Sequence, residues 1–218
     1  MNEILFAFHL LLILTITWAA RHFGRDALMG WVILQPILAN LFVLKQVVLF
    51  GFHVTCSDVY AVSAILGVNF IQEYYGKEPA KRTVWHSMLA MLFFVAMSML
   101  HLSYEPSNYD ISHGAYKVIL EQSPRLFVAS MLGFLLVQQI DIHLFAFLKE
   151  KLPHVPFRLR NLMSLTVSQI FDTFFFTIFG LSGIVCDLVD IFILSAIIKC
   201  SIAWYLALFS PAPKKATL

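Results

Sequence analysis

Apolar residues fall into seven long runs, near 4–20, 28–51, 56–75, 84–103, 125–148, 161–181 and 187–209, separated by short polar or charged connections. Crossing a ~30 Å hydrocarbon layer takes about 20 residues of helix, so each run predicts one transmembrane helix. The expected fold is an all-α integral membrane protein of about seven transmembrane helices. Charge in the connections then sets the orientation. Arg21 and Arg25 lie in the first connection, Lys77, Lys81 and Arg82 in the third, Lys149, Lys151, Arg158 and Arg160 in the fifth, and Lys214 and Lys215 in the tail. The second connection, around 52–55, and the sixth, 181–186, hold no Lys or Arg. The long fourth, 104–123, sets Lys117 against Glu105, Asp110 and Glu121. The positive-inside rule puts the basic connections in the cytoplasm, with the N-terminus outside and the C-terminus inside. An odd number of spans and the alternating charge agree.

The chain reads as one polytopic domain over 1–218, with an additional N-terminal span in 1–20, a six-helix core over 28–209 and a cytoplasmic tail at 210–218. The first run follows Glu3 without a basic leader or a small-residue cleavage site, so it is expected to stay as a span. Pro36 inside the second run predicts a kink, because it removes a backbone bond and crowds the preceding turn. Runs two to four and five to seven would be related by inverted topology, as in many transporters.

Polar residues inside the runs change the picture from an anchor to a site. In 160–180, Ser164, Ser168, Gln169, Asp172 and Thr173 interrupt an otherwise apolar stretch. Gln169 and Ser168 lie three and four residues before Asp172, which puts them on one helix face. Phe171, Phe174, Phe175 and Ile178 occupy the other. A carboxylate near the centre of a span costs at least ~2.5 kcal/mol to insert, so it is expected to have a task. By depth, Asn40 falls near the middle of run two, and Gln138 and Asp141 just past the middle of run five. Gln169 and Asp172 fall at the middle of run six, Lys199 at the middle of run seven, and Asn69 and Glu73 in the inner third of run three. Polar groups gathered at one level predict a midplane cavity, the usual place for a transporter's substrate. Gln138-x-x-Asp141 and Gln169-x-x-Asp172 repeat one arrangement, an amide donor beside a carboxylate acceptor. That pairing suits a planar heterocycle with adjacent N–H donors and a carbonyl, such as a guanine-like edge.

Structural alternatives stand beside these readings. Lys199 can neutralise Asp172 or Asp141 instead of touching substrate. Glu73 and Lys45 are within reach of the interface and can snorkel. Asn40 can bridge helices, Ser164 and Ser168 can bond their own helix, and Asp58 can cap its span or sit at its mouth. His143, two residues beyond Asp141, is a candidate proton relay.

Composition narrows the function classes. The chain is 60% apolar and 13% charged with a mean hydropathy of +0.80, against roughly 25% charged for a soluble domain. A net charge of +2, without basic runs interleaved with aromatics, speaks against nucleic acid as a partner. Cys56, Cys186 and Cys200 form no CxxC pair, and no two of His9, His53, His86, His101 and His143 are three or four apart, so neither metal nor cofactor is expected. With no HExxH and no usefully spaced Ser/His pair, an enzyme is not expected either.

The run Asn69-Phe70-Ile71-Gln72-Glu73-Tyr74-Tyr75-Gly76 precedes Ala80-Lys81-Arg82. Arg125-x-x-x-Ala129-Ser130 leads into Gln138-x-x-Asp141-x-His143-x-Phe145. Later come Ser164, Gln169-x-x-Asp172-Thr173 and Lys199. With Asn40 and Gly51-Phe52-His53, this order and spacing resembles the queuosine-precursor transporter family, also called the vitamin uptake transporter family, over about 40–201. Asn69 stands where that family often has Asp, and the first span looks like an addition to a six-helix core. The resemblance implies import across the bacterial inner membrane of 7-cyano- or 7-aminomethyl-7-deazaguanine, or of queuine. Asp172 and Asp141 would accept the base's N–H groups, Gln169 and Gln138 would donate to its carbonyl, and Asn40, Asn69 and Ser168 would complete the site. Lys199 and Glu73 would balance charge or gate. The partners expected are a small-molecule substrate and the lipid bilayer, with a homodimer left open. The carboxylates allow either a proton symporter or a facilitator. The alternative reading is the substrate-binding subunit of an energy-coupling-factor vitamin transporter, which would need ATPase partners.

Overall fold

The structure, a computed structural model, describes residues 1–43, 45–121, 124–181 and 188–209. The basic tail with Lys214 and Lys215, and the sixth connection with Ser182, Gly183 and Cys186, lie outside the described residues, as do the side chains of His53 and Arg125. The elements in order are α1 (Asn2–His22), α2 (Arg25–Phe42), β1 (Gln46–Leu49), β2 (Phe52–Thr55), α3 (Asp58–Tyr75), α4 (Lys77–Leu102), α5 (His113–Leu120), α6 (Pro124–Lys151), α7 (Phe157–Phe176), a π-helical turn (Thr177–Leu181) and α8 (Leu188–Phe209). Four helical stretches are long and apolar enough to cross a membrane among the described residues: Asn2–His22, Lys77–Leu102, Val128–Lys151 and Phe157–Phe179. The protein is an α-helical, multi-pass membrane protein.

Two boundaries differ from the apolar runs, and one connection holds a helix of its own. Run two does not stay helical to residue 51. Its helix stops at Phe42, and Val47, Val48 and Leu49 enter an antiparallel hairpin whose register pairs Gln46 with Thr55 and Leu49 with Phe52. Phe50 (φ 52°) and Gly51 (φ 85°) make the two-residue turn, a backbone that suits the twist of a hairpin. Apolarity alone does not separate helix from strand in so short a stretch. The fold is that of an all-α membrane protein, and among the described residues this small hairpin is its one departure from helix. Run four begins earlier, because Gly76 (φ 94°) both ends α3 and opens α4. This glycine turn takes up little chain, so Lys77, Lys81 and Arg82 sit in the first turns of a 26-residue helix. The fourth connection holds the short helix α5. Just ahead of it, Asp110 accepts hydrogen bonds from the Ser112 hydroxyl and backbone N–H at 2.7 Å and from the His113 N–H at 3.2 Å. The Ser112 hydroxyl above all holds the Asp110 carboxyl below its ordinary range.

α3 is the axis of the bundle. From Val62 to Gln72 every residue on it is buried, whichever way it points, as expected of a helix apolar all round. Gly67 brings α2 against it: a Cβ there would overlap the buried Val32 side chain. Outward faces are apolar too, with Trp85, Leu89 and Phe93 on α4 and Val167, Ile170 and Phe174 on α7 exposed. Contacts at the ends sort the connections. Arg21 bonds the Tyr74 hydroxyl, and Lys149 and Arg160 reach Glu73, so the first, third and fifth connections share one end. At the other, Asn2 donates to the Val48 carbonyl at 3.1 Å and Glu3 accepts from the Phe50 N–H at 3.3 Å.

Gly67→Ala should lower the melting temperature of the detergent-purified protein, at a cost of about 1–3 kcal/mol from overpacking. Adding Val32→Ala should recover most of that loss, since it vacates the space the new methyl needs. An unchanged melting temperature for Gly67→Ala would refute the close α2–α3 approach.

Candidate functional site

On α7, Arg160, Ser164, Ser168 and Asp172 recur every fourth residue and so form one face. Asn161 and Gln169 flank it, and all of these except Asp172 are buried. α3, α6 and α8 pack around this polar face, and its groups sort into three layers.

At the end shared by the basic connections, Glu73 on α3 lies between two cations. Arg160 Nη2 is 3.1 Å from its Oε1 and Lys149 Nζ, from α6, is 3.1 Å from its Oε2. Lys149 also donates to the Glu73 carbonyl at 2.9 Å.

In the middle layer, Asp141 of α6 is fully buried, and its Oδ1 accepts from Ser164 Oγ at 2.5 Å and Ser168 Oγ at 2.8 Å. No cation pairs with Asp141 among the described residues. Asn69 Nδ2 donates to Asn161 Oδ1 at 2.9 Å, and Gln72 Nε2 donates to the Ile142 carbonyl at 2.8 Å, which tie α3 to α7 and to α6. Around these bonds lie polar atoms with none. Among the described residues, Asp141 Oδ2, both amide atoms of Gln138 and of Gln169, Asn69 Oδ1 and Asn161 Nδ2 are buried without a hydrogen-bond partner. Each such group costs about 1–3 kcal/mol when left unmade. Gathered beside an unneutralised carboxylate, they supply the donors and acceptors a polar ligand needs.

In the third layer, Lys199 of α8 sits between two carboxylates, 2.5 Å from Asp172 Oδ2 and 3.7 Å from Asp58 Oδ1. Asp172 also faces α6 at Gly133, where a Cβ would stand 3.9 Å from its Oδ1 and 3.2 Å from the Phe175 ring.

The structure thus distributes the residues singled out from sequence. Asp141, Ser168, Asn69, Gln138 and Gln169 fall in or beside the middle layer. Lys199 does neutralise an aspartate, and the one it takes is Asp172, with Asp58 as second partner, rather than Asp141. Glu73 is held by Arg160 and Lys149 rather than snorkelling. Asn40 is not near the middle of its helix, as the longer apolar run implied, but in the last turn of α2, because the hairpin takes the residues that follow. There its Nδ2 donates to the Pro36 carbonyl at 2.8 Å and its Oδ1 accepts from Ser130 at 3.1 Å, bridging α2 and α6. Ser164 and Ser168 bond Asp141 rather than their own helix, whereas Thr173 does bond back, to Gln169 O at 2.8 Å. Asp58 is the first residue of α3 and so lies at the end of its helix; the cap position is Ser57, and the Asp58 carboxylate reaches the Lys199 ammonium. His143 is exposed and bonds the Gln139 carbonyl, away from a relay with Asp141. Asn161 and Gln72 were missed, and Arg160 was read for topology alone. Extending the four-residue spacing of Ser164, Ser168 and Asp172 back by one step would have found Arg160.

Long apolar helices around a buried layer of unpartnered polar atoms define a multi-pass membrane transporter. Residues 55–211 match the family described as "Putative vitamin uptake transporter", and the chain belongs to that family. It is a family of transporters, not of enzymes. A Bacillus subtilis (strain 168) protein named "Probable queuosine precursor transporter" is 33% identical over 198 residues, covering 88% of this chain and 86% of that protein. No solved structure matches.

Lys199→Met should strand two carboxylates in the interior and cost about 3–5 kcal/mol, because the partners of a buried pair are left uncompensated. Adding Asp58→Asn and Asp172→Asn should recover most of the loss. Thermal unfolding of the three proteins in one detergent checks this, and a Lys199→Met protein as stable as the parent would exclude a shared ion triad.

Proposed function

We propose that this protein imports a queuosine precursor, a 7-deazaguanine base or queuine, across a bacterial inner membrane, and that the base binds in the layer between α3, α6 and α7. One observation carries the reading: among the described residues, Asp141 Oδ2, Gln138 Nε2 and Oε1, and Gln169 Nε2 and Oε1 are buried with no hydrogen-bond partner, Gln138 one turn before Asp141 on α6 and Gln169 next to the Ser168 that bonds Asp141. A guanine-like edge presents adjacent N–H donors beside a carbonyl. The Ser164 and Ser168 hydroxyls occupy Asp141 Oδ1 and fix the carboxylate's rotation, so Oδ2 is the oxygen left for a ring N–H. A glutamine oxygen takes the neighbouring N–H, and a glutamine NH2 donates to the base carbonyl. Asn69 closes the layer from α3. Asp172, with one oxygen on Lys199, offers the other toward α6. The name carried by the Bacillus subtilis relative supports the substrate class.

In this reading all seven helices of 18 residues or more cross the bilayer. The end bearing Arg21, Lys149 and Arg160 faces the cytoplasm by the positive-inside rule, which puts the N-terminus outside.

The test is uptake in a host that neither makes queuosine precursors nor has its own importer. Each base is supplied at limiting concentration and queuosine is measured in tRNA. One base should restore queuosine without any co-expressed ATPase. Gln138→Ala, Gln169→Ala and Asp141→Asn should each raise the concentration required by about tenfold or more, the equivalent of one or two lost hydrogen bonds. If membrane-inserted protein restores nothing alone but does so with energy-coupling partners, it is a binding subunit instead.

A further inference from the structure

The two ion clusters lie on either side of the middle layer and join the same two helices. α3 and α7 run antiparallel: Phe70 stacks on Phe157 with centroids 5.1 Å apart, Asn69 bonds Asn161, and Glu73 pairs with Arg160. From Asp58 to Glu73, α3 rises ~22 Å, and from Arg160 to Asp172, α7 rises ~18 Å, at 1.5 Å per residue. Asn161, Ser164, Ser168 and Gln169 lie within that interval. At one limit Glu73 of α3 meets Arg160 of α7 directly, with Lys149 of α6 as second cation. At the other, Asp58 of α3 and Asp172 of α7 carry like charges, and Lys199 of α8 holds them together.

Neither cluster is neutral by formal charge. One carboxylate with two cations sums to +1, and two carboxylates with one cation to −1. In each, removing a single group breaks the ionic tie between α3 and α7: Arg160 or Glu73 at one limit, Lys199 at the other. Both are closed in this structure, and the polar atoms between them are buried.

We propose that these clusters are the two gates of the carrier. Glu73–Arg160–Lys149 closes the side of the basic connections, and Asp58–Lys199–Asp172 closes the opposite side. Transport opens them in turn as α3 and α7 part at one limit while held at the other. Asp58, Arg160 and Lys149 are then positioning residues of the transport cycle, roles that hydropathy and spacing did not assign them. The gates rest on the proposed site only for what passes between them; their opening can be read without a substrate.

The experiment uses the full chain with Cys56, Cys186 and Cys200 replaced by Ala, and Ser164→Cys as a reporter between the clusters. A charged, membrane-impermeant methanethiosulfonate is applied to right-side-out and to inverted vesicles. With both gates intact, labelling should be slow from either face. Arg160→Ala should speed labelling at least tenfold from the cytoplasmic face alone, and Lys199→Ala should do so from the outer face alone. The exchange variant Glu73→Arg with Arg160→Glu restores the pair and should be as protected as the parent, which separates a gate from a fold defect. Equal acceleration from both faces, acceleration from the wrong face, or none in folded protein would overturn the proposal. Sided opening of the reporter protein, with no uptake of any base by the parent that keeps Ser164, would keep the gates and remove the substrate reading.

Discussion

Asp141 is a carboxylate in the interior of an apolar bundle with no cation paired to it among the described residues, and much of the structure follows from how it is kept there. Two hydroxyls from α7 satisfy one oxygen. Placing both on that oxygen requires α7 to present serines four residues apart toward α6. The same face, continued one step each way, carries Arg160 and Asp172. These demand countercharges from α3 and α8, because an unpaired ion in such surroundings costs several kcal/mol. One helix face therefore dictates what its three neighbours must offer.

The polar layer is a poor way to stabilise a fold. Its unpartnered amides carry a desolvation cost that apolar side chains of similar size would avoid. α3 offsets it with a run of buried residues from Val62 to Gln72, and Gly67 lets α2 close tightly on that helix. Stability is thus concentrated where α2 and α3 meet, and incompleteness where α6 and α7 face α3. A carrier needs both, since its site must exchange partners while the membrane domain stays intact.

Hydropathy made the helices legible. An apolar run of about 20 residues is a physical length, and each of the seven predicted runs overlaps one helix of 18 residues or more. The charge of the connections was equally readable, and contacts among Arg21, Tyr74, Glu73, Lys149 and Arg160 gather three of the basic ones at one end. What hydropathy could not resolve is residues 46–55, where β-branched and apolar side chains suit helix and strand alike. The decision there fell to a two-residue turn with positive φ at Phe50 and Gly51. That turn moved Asn40 from a supposed midpoint to the end of its helix.

By itself the sequence determined which residues are polar, where along the chain they interrupt the apolar runs, and which of them share a helix face. Those properties depend on hydrophobicity and on a period of 3.6, both local. Only the tertiary structure decided partnership: Lys199 with Asp172 and Asp58 rather than Asp141, Glu73 with Arg160 and Lys149, and the serines with a carboxylate 23 and 27 residues away. Pairing depends on which helices pack together and how they are rotated. That is set by the fit of many side chains at once, such as Gly67 under Val32, and leaves no local signal in the chain.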